Sequence, residues 1–217
     1  MNRLRINKAH FPVSVLGPGQ RIGIWFQGCS IGCKNCISRD TWDKNDGADV
    51  DVGILVDWCR DVVGNQRFDG FTISGGEPFD QAEGLRALCN ELDSWRNEAG
   101  IDFDILCYSG YPMKVLQRRF SEVLTQLDAI CPEPYISGAG GEALWRGSKN
   151  QPLIALSERG NRIVLEAERN PEDKRIQVDV SEGRIWFIGV PGSGDMDRME
   201  TMAAVHGLRL SGVSWRP

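Results

Sequence analysis

Histidine is almost missing from this chain. Its two histidines, His10 and His206, in 217 residues stand at no metal-ligand spacing from a cysteine, which disfavours zinc sites of the Cys/His type. Basic excess is missing too. With 25 Lys and Arg against 30 Asp and Glu, the formal net charge is -5, so nothing draws the chain generally toward phosphate backbones or anionic lipid. No nucleic-acid and no membrane role is expected. A run of about 18 apolar residues occurs nowhere, and "MNRLRINKAHFPVSVLGPG" at the start has basic residues without the apolar stretch of a signal peptide. A soluble, cytoplasmic protein is the expectation.

What is present is ordinary in bulk and unusual in detail. Hydrophobic residues at 41% and charged residues at 25% are ordinary values for a soluble globular protein, and 25 glycines point to many tight turns or close backbone approaches. No repeat or Pro/Ser-rich linker divides the chain, so a single domain over 1–217 is expected. Its core would span about 17–151, with a strand-rich C-terminal extension over about 152–217. The seven cysteines are an odd count. Cys59, Cys89, Cys107 and Cys131 sit inside apolar periodic segments where a small buried thiol fits, which suits a reduced compartment better than a disulfide framework.

Strand, loop and helix alternate from residue 20 to 131. "RIGIWFQ" alternates Ile22, Ile24 and Phe26 against Gly23 and Trp25 as a first strand. Leu55, Trp58, Cys59 and Val62 then fall at helical spacing, and "GFTIS" reads as a buried strand. Asp80 and Glu83 stand like a capping box before the stripe Leu85, Leu88, Leu92 and Trp95. "DFDILCY" is the next strand, Pro112 opens a helix carrying Leu116, Phe120, Val123 and Leu127, and "DAIC" follows as a strand. This order predicts an α/β fold, a parallel sheet covered by helices, open or closed toward a barrel. The last third reads as strands: "PLIAL", "RIVLEAE", "RIQVDV" and "RIWFIGV", with hairpins between Ser157 and Gly183. A helix over Met196, Met199, Met202 and Ala203 and a final strand "LRLSGVSW" complete it.

The stretch "GCSIGCKNC" places Cys29, Cys33 and Cys36 directly after the first strand and supplies no fourth ligand. A structural zinc site needs four ligands, and purely structural cysteines rarely cluster with Gly28, Gly32 and a lysine among them. An iron–sulfur cubane accepts one thiolate per iron, so three cysteines leave one iron open, as a catalytic metal site requires. "SGGEP", Ser74 to Pro78, ends the second predicted strand. It reads either as a turn or as a close backbone approach beside a carboxylate. "GAGGEA" at 138–143 loosely matches a dinucleotide fingerprint, but no helical stripe follows it.

The Cys-x3-Cys-x2-Cys motif followed by Ser-Gly-Gly-Glu-Pro resembles the radical S-adenosylmethionine superfamily. "GPGQR", "CYSGY" at 107–111 and "WRGSKNQ" at 145–151 resemble one branch of it, the activating proteins of anaerobic ribonucleotide reductase and related glycyl-radical activases. The resemblance implies a partial β/α barrel, a [4Fe-4S] cluster on Cys29, Cys33 and Cys36, and S-adenosylmethionine at the open iron. Cofactor contacts would come from Asn35, Ser74, Gly75, Gly76, Glu77 and Ser109, with the methionyl ammonium at Ser74 to Glu77. Tyr108, Tyr111 and Arg146 are further candidates for substrate or cofactor contact. The resemblance also implies a glycine of a partner glycyl-radical protein as the target and an external electron donor such as flavodoxin or ferredoxin. Two departures stand out: Asn35 where many such enzymes carry an aromatic, and "CPEPY" where the branch has Asp-Gly-Pro-aromatic. The second suits a small molecule or peptide as an alternative substrate. A zinc or electron-transfer module without enzymatic activity is the alternative of another class.

Overall fold

The computed structural model describes residues 2–139, 144–169, 175–181, 183–192 and 194–216. A seven-stranded mixed sheet organises the chain up to residue 155, in the order β3-β1-β2-β4-β5-β6-β7. Its centre is parallel: β2 (Arg21–Phe26), β4 (Gly70–Gly75), β5 (Asp104–Tyr108) and β6 (Ala129–Cys131). The edges are antiparallel: β1 (Arg3–Val13) and β3 (Ala48–Asp51) on one side, β7 (Ile154–Ala155) on the other. The predicted parallel core is thus present, and two strands unread in the sequence border it. β1 mixes Arg3, Arg5, Asn7 and Lys8 with its apolar residues, and β3 is the polar "ADVD". Their pairing comes from neighbouring strands, not from alternation of their own.

Period-two alternation sorts the central side chains between two layers. Ile22, Ile24, Phe26, Phe71, Ile73, Ile105, Cys107 and Ile130 enter the main core. Against that face lie α1 (Val52–Val63), α2 (Ala82–Ala99), α3 (Met113–Arg119) and α4 (Ser121–Leu124). Asp51 caps α1 by accepting from the amides of Gly53 and Ile54. The expected helix from Pro112 to Leu127 is broken at Phe120, whose φ and ψ of -136° and 31° are not helical. Pro112 sits just before α3, as its cap. On the opposite face, Trp25 packs with Val13, Val15, Leu16 and Ile188, while Leu106 and Ala129 pack with Leu144, Trp145 and Ile163.

The C-terminal third differs from expectation at three places. "RIVLEAE" lies in α5 (Glu158–Arg169): Gly160 and Ile163 are buried and Ala167 is partly so, a helical spacing masked by the β-branched pair Ile163–Val164. Hairpin pairing does occur, between β8 (Ile176–Ser181) and β9 (Arg184–Gly189), but as a separate two-stranded sheet. "LRLSGVSW" forms no strand, and its Leu208 is exposed. The methionine stripe does lie in a helix, α6 (Asp195–Val205), yet none of its residues is buried. Of the "GAGGEA" stretch, 140–143 lie outside the described residues.

Candidate functional site

The three clustered cysteines occupy a loop that leaves the carboxyl end of β2 and is closed at its base. The amides of Gly28 and Cys29 donate to the carbonyls of Thr41 and Trp42 at 2.7 and 3.1 Å. Cys29, Cys33 and Cys36 are half-buried, whereas Cys59, Cys89, Cys107 and Cys131 are buried in the core. Burial raises all three loop thiols, and N–H donors pull the other way. Ile31 and Gly32 amides serve Cys29, the Tyr135 amide serves Cys33, and the Ser38 amide and Trp42 indole serve Cys36. The four core thiols have no such donors. Burial pushes Cys59, Cys89 and Cys131 up to about 12 and Cys107 well above its ordinary value.

The donor set suits an iron–sulfur cluster. Thiolate ligands of such clusters characteristically accept amide N–H bonds, which offset their negative charge and tune the potential. Among the described residues no three His, Cys, Asp or Glu side chains converge on one point as the ligands of a single metal ion. A cubane binds each thiolate through a different iron and requires no such convergence.

β4 delivers the second motif against this loop. Gly76 donates to Phe26 O at 2.9 Å and Glu77 to Gly28 O at 2.8 Å. A Cβ on Gly76 would overlap the carbonyl of Gly28, and Gly75 holds φ +108° with its α-carbon against the backbone of Phe26. These glycines therefore let β4 and the cysteine loop meet backbone to backbone. Ser74 pairs with Trp25 one residue before the end of β4 and is partly exposed. Gly110 repeats the device at the end of β5: a Cβ there would come within 2.9 Å of Ile31.

Glu77 is wholly buried and ties the two strand ends together. It accepts from the Phe79 amide at 3.0 Å, the Ser109 hydroxyl at 2.8 Å and the Gly110 amide at 2.6 Å. Burial outweighs these donors and raises its carboxyl to about 7. Ser109, expected near the cofactor, spends its proton on Glu77. Of the weaker candidates, Tyr108 donates to Trp145 O at 2.8 Å and packs in the cluster around Leu144 and Trp145. Tyr111 donates to Asp80 at 2.8 Å and lies 3.2 Å from the Ser30 hydroxyl. Arg146 is partly buried near enough to Cys131 to lower that thiol.

Both departures from the sequence pattern have local reasons. Asn35 adopts φ +61°, a conformation that asparagine tolerates better than an aromatic does, and its amide donates to Ser137 at 2.9 Å. Glu133 holds φ +83°, the left-handed region a glycine at that position would supply, and its carboxylate accepts from the Met113 amide at the start of α3. The "CPEPY" segment thereby keeps its turn, and its Tyr135 amide reaches Cys33.

Asp80 belongs to this candidate site, although its spacing in the sequence reads as a helix cap. α2 begins after Gln81 and has no side-chain cap; Asp80 instead accepts from the Ser30 amide and hydroxyl at 2.7 and 2.8 Å, and from Tyr111. It ties the cysteine loop to the ends of β4 and β5. The polar spacing Asp80–Glu83 was compatible with both roles, and only the loop's position chooses between them. "GPGQR" lies at the other end of the sheet, where Arg21 is enclosed.

A family model described as 4Fe-4S single cluster domain matches residues 15–154. The anaerobic ribonucleoside-triphosphate reductase-activating protein of Enterobacteria phage T4 is 29% identical over 153 residues, covering 70% of this chain and 93% of that protein. Its counterpart in Vibrio cholerae is 29% identical over 150 residues, covering 66% and 94%. The pyruvate formate-lyase 1-activating enzyme of Escherichia coli K12 is 42% identical over 78 residues, 34% of this chain and 30% of that enzyme. The [4Fe-4S] cluster and S-adenosylmethionine expected from the cysteine and SGGEP motifs agree with these matches. No helix among the described residues is long and apolar enough to cross a membrane.

Proposed function

Because the chain belongs to the 4Fe-4S single cluster domain family, we propose that it is a radical S-adenosylmethionine enzyme that generates a glycyl radical on a partner protein such as an anaerobic ribonucleotide reductase. One observation carries this reading: the loop that holds three half-buried thiols, each met by N–H donors, packs on the glycine backbone at the ends of β4 and β5, beside the buried Glu77 carboxylate. Cys29, Cys33 and Cys36 would hold a [4Fe-4S] cluster, which would supply one electron for the reductive cleavage of S-adenosylmethionine to methionine and a 5′-deoxyadenosyl group able to take a hydrogen atom from the partner's glycine.

The chain's own residues bind and orient. Cys29, Cys33 and Cys36 would hold three irons and leave the fourth open. Ser74 to Glu77 would receive the methionyl ammonium. Glu77 Oε2 accepts from the Gly110 amide and retains lone-pair capacity for a cation, whose arrival would favour its ionised form. Asn35 and Ser109 would border the cofactor from the cysteine loop and from β5. The seven-stranded sheet would be the partial barrel of this superfamily, with the site at the carboxyl ends of its parallel strands, where ligands bind in such folds. A flavodoxin or ferredoxin would supply the electrons.

The retained turn at Glu133 bears on the alternative substrate. The departure in "CPEPY" is absorbed by the backbone and by the cap on α3, so it does not favour a small molecule over a protein glycine. Anaerobic reconstitution and reduction in the presence of S-adenosylmethionine should yield 5′-deoxyadenosine, read by chromatography; iron and sulfide uptake with no such product sinks the enzyme reading. With a candidate partner added, a glycyl signal in electron paramagnetic resonance is expected. Sustained 5′-deoxyadenosine formation without that signal would pass the assignment to the small-molecule alternative.

A further inference from the structure

The family match ends at residue 154, yet the far end of the chain returns to the cysteine loop. The Ser214 hydroxyl donates to the carbonyl of Ile37 at 2.7 Å across 177 positions of sequence, and the Arg39 amide donates back to Ser214 O at 3.3 Å. Ile37 C=O belongs to the same peptide group as the Ser38 N–H, which points at Cys36 Sγ at 3.4 Å. One rigid unit is thus held at its oxygen by the tail while its hydrogen faces the third cluster cysteine. Hydrogen bonding at an amide oxygen polarises the group and strengthens its N–H as a donor.

The tail is itself anchored. The Trp215 indole donates to Glu200 at 2.6 Å, and Arg216 contacts the two oxygens of Glu200 at 2.9 and 2.8 Å and Asp197 at 3.2 Å, all on α6. Trp215 also meets Phe187 of β9 edge to face, with centroids 5.7 Å apart. The hairpin in turn packs Ile188 on Trp25 and Val13 and donates through Gln177 to Pro12 O at 2.7 Å. A continuous set of contacts therefore runs from the sheet through the hairpin and α6 to the loop.

We infer that Ser214 is a positioning residue for the cluster: the C-terminal segment straps the Ile37–Ser38 peptide against Cys36, secures that ligand and raises the cluster's reduction potential. The inference rests on the radical S-adenosylmethionine reading above. Amide donors to cluster sulfur stabilise the more negative, reduced state, so loosening them moves the potential downward. Loss of an outer-shell partner also weakens metal retention, by about 10- to 100-fold in well-characterised sites.

The test uses the full chain with Ser214→Ala, Ser214→Thr and Glu200→Ala. In the metal-free protein, hydrogen exchange of the 37–39 segment should quicken in Ser214→Ala and Glu200→Ala and stay slow in Ser214→Thr, which keeps the hydroxyl. In the reconstituted protein, chelator-driven bleaching of the cluster should be about 10-fold faster in the two alanine variants, and the potential of Ser214→Ala more negative than wild type. Unchanged exchange, or faster exchange with wild-type bleaching and potential, overturns the strap. A wild-type protein that assembles no cluster sinks the radical reading and the inference with it, a failure distinct from equal lability of wild type and variants.

Discussion

At the amino ends of β2, β4 and β5, Arg21 is fully enclosed. It donates to Thr72 at 2.7 Å, Phe71 O at 2.6 Å and Pro18 O at 3.2 Å, and it pairs with Asp104. At the carboxyl ends of the same strands, three thiols remain half-exposed, and the backbone amides and the Trp42 indole around them point at sulfur. One end cancels its charges within the protein. The other gathers N–H dipoles around soft donors and leaves the remaining charge to whatever binds there. A buried ion pair with its lone pairs satisfied serves structure, whereas partly exposed thiols with aimed donors are arranged for a metal cluster.

The sharpest way to break this contrast is to remove one group from each end. Cys33→Ala should lower 5′-deoxyadenosine formation by more than about 100-fold, since even outer-shell partners of metal sites cost 10- to 100-fold. The melting temperature of its metal-free form should stay within a few degrees of wild type. A variant with full turnover removes Cys33 from the ligands. Arg21→Ala should do the reverse: it strands Asp104 in a buried site and costs about 3–5 kcal/mol in denaturant unfolding. Whatever fraction folds should take up iron as wild type does.

Glu77 joins the two currencies, because it is structural in its bonds and placed at the open end. Its folded carboxyl lies near 7, above the ordinary 4.5. An acid raised in this way stabilises the fold most below about 4.5 and loses that contribution as pH rises toward 7, a span on the order of 3 kcal/mol. The stability of metal-free wild type against unfolding should therefore fall across pH 4.5 to 7 relative to Glu77→Gln, and a constant difference between the two would refute the buried-acid account. Asp80→Ala removes the tie to Ser30 and Tyr111 and should loosen cluster retention by about 10-fold, read by chelator competition, with little change in unfolding. At the closed end, Asp102 accepts from Arg159 at 2.7 Å and Arg162 at 2.9 Å, which hold its carboxyl at about 2. Its contribution is present above about pH 4 and is lost as pH falls to about 2. Because the group is exposed, Asp102→Asn should cost under about 1 kcal/mol at neutral pH.

The parallel core was legible because its signals are local. Ile22, Ile24 and Phe26 alternate within one strand, and the stripe Leu85, Leu88, Leu92 repeats within one helix. The same locality misled where a residue's partner is distant. Asp80 read as a cap because Glu83 is three positions away, while its actual partner Ser30 is 50 positions away. Ile163 and Val164 read as a strand because β-branching is a property of the pair, while the burial of Gly160 beneath Asp128 is a property of the packed sheet. β1 and β3 carry little pattern of their own, and each forms because a neighbour offers a free edge.

By itself the sequence determined which atoms could hold the cluster and in what spacing, because three thiols within eight residues of one loop stay near one another in any fold. It also determined the glycines that Gly75 and Gly76 supply, since no other residue fits those backbone approaches. The tertiary structure alone decided which distant groups join the local amides around those thiols. Tyr135 comes to Cys33 from beyond β6, and Ser214 comes to the peptide beside Cys36 from the end of the chain. Hydrogen-bond donors act over about 3 Å regardless of separation along the chain, so only folding selects which amides reach the sulfurs.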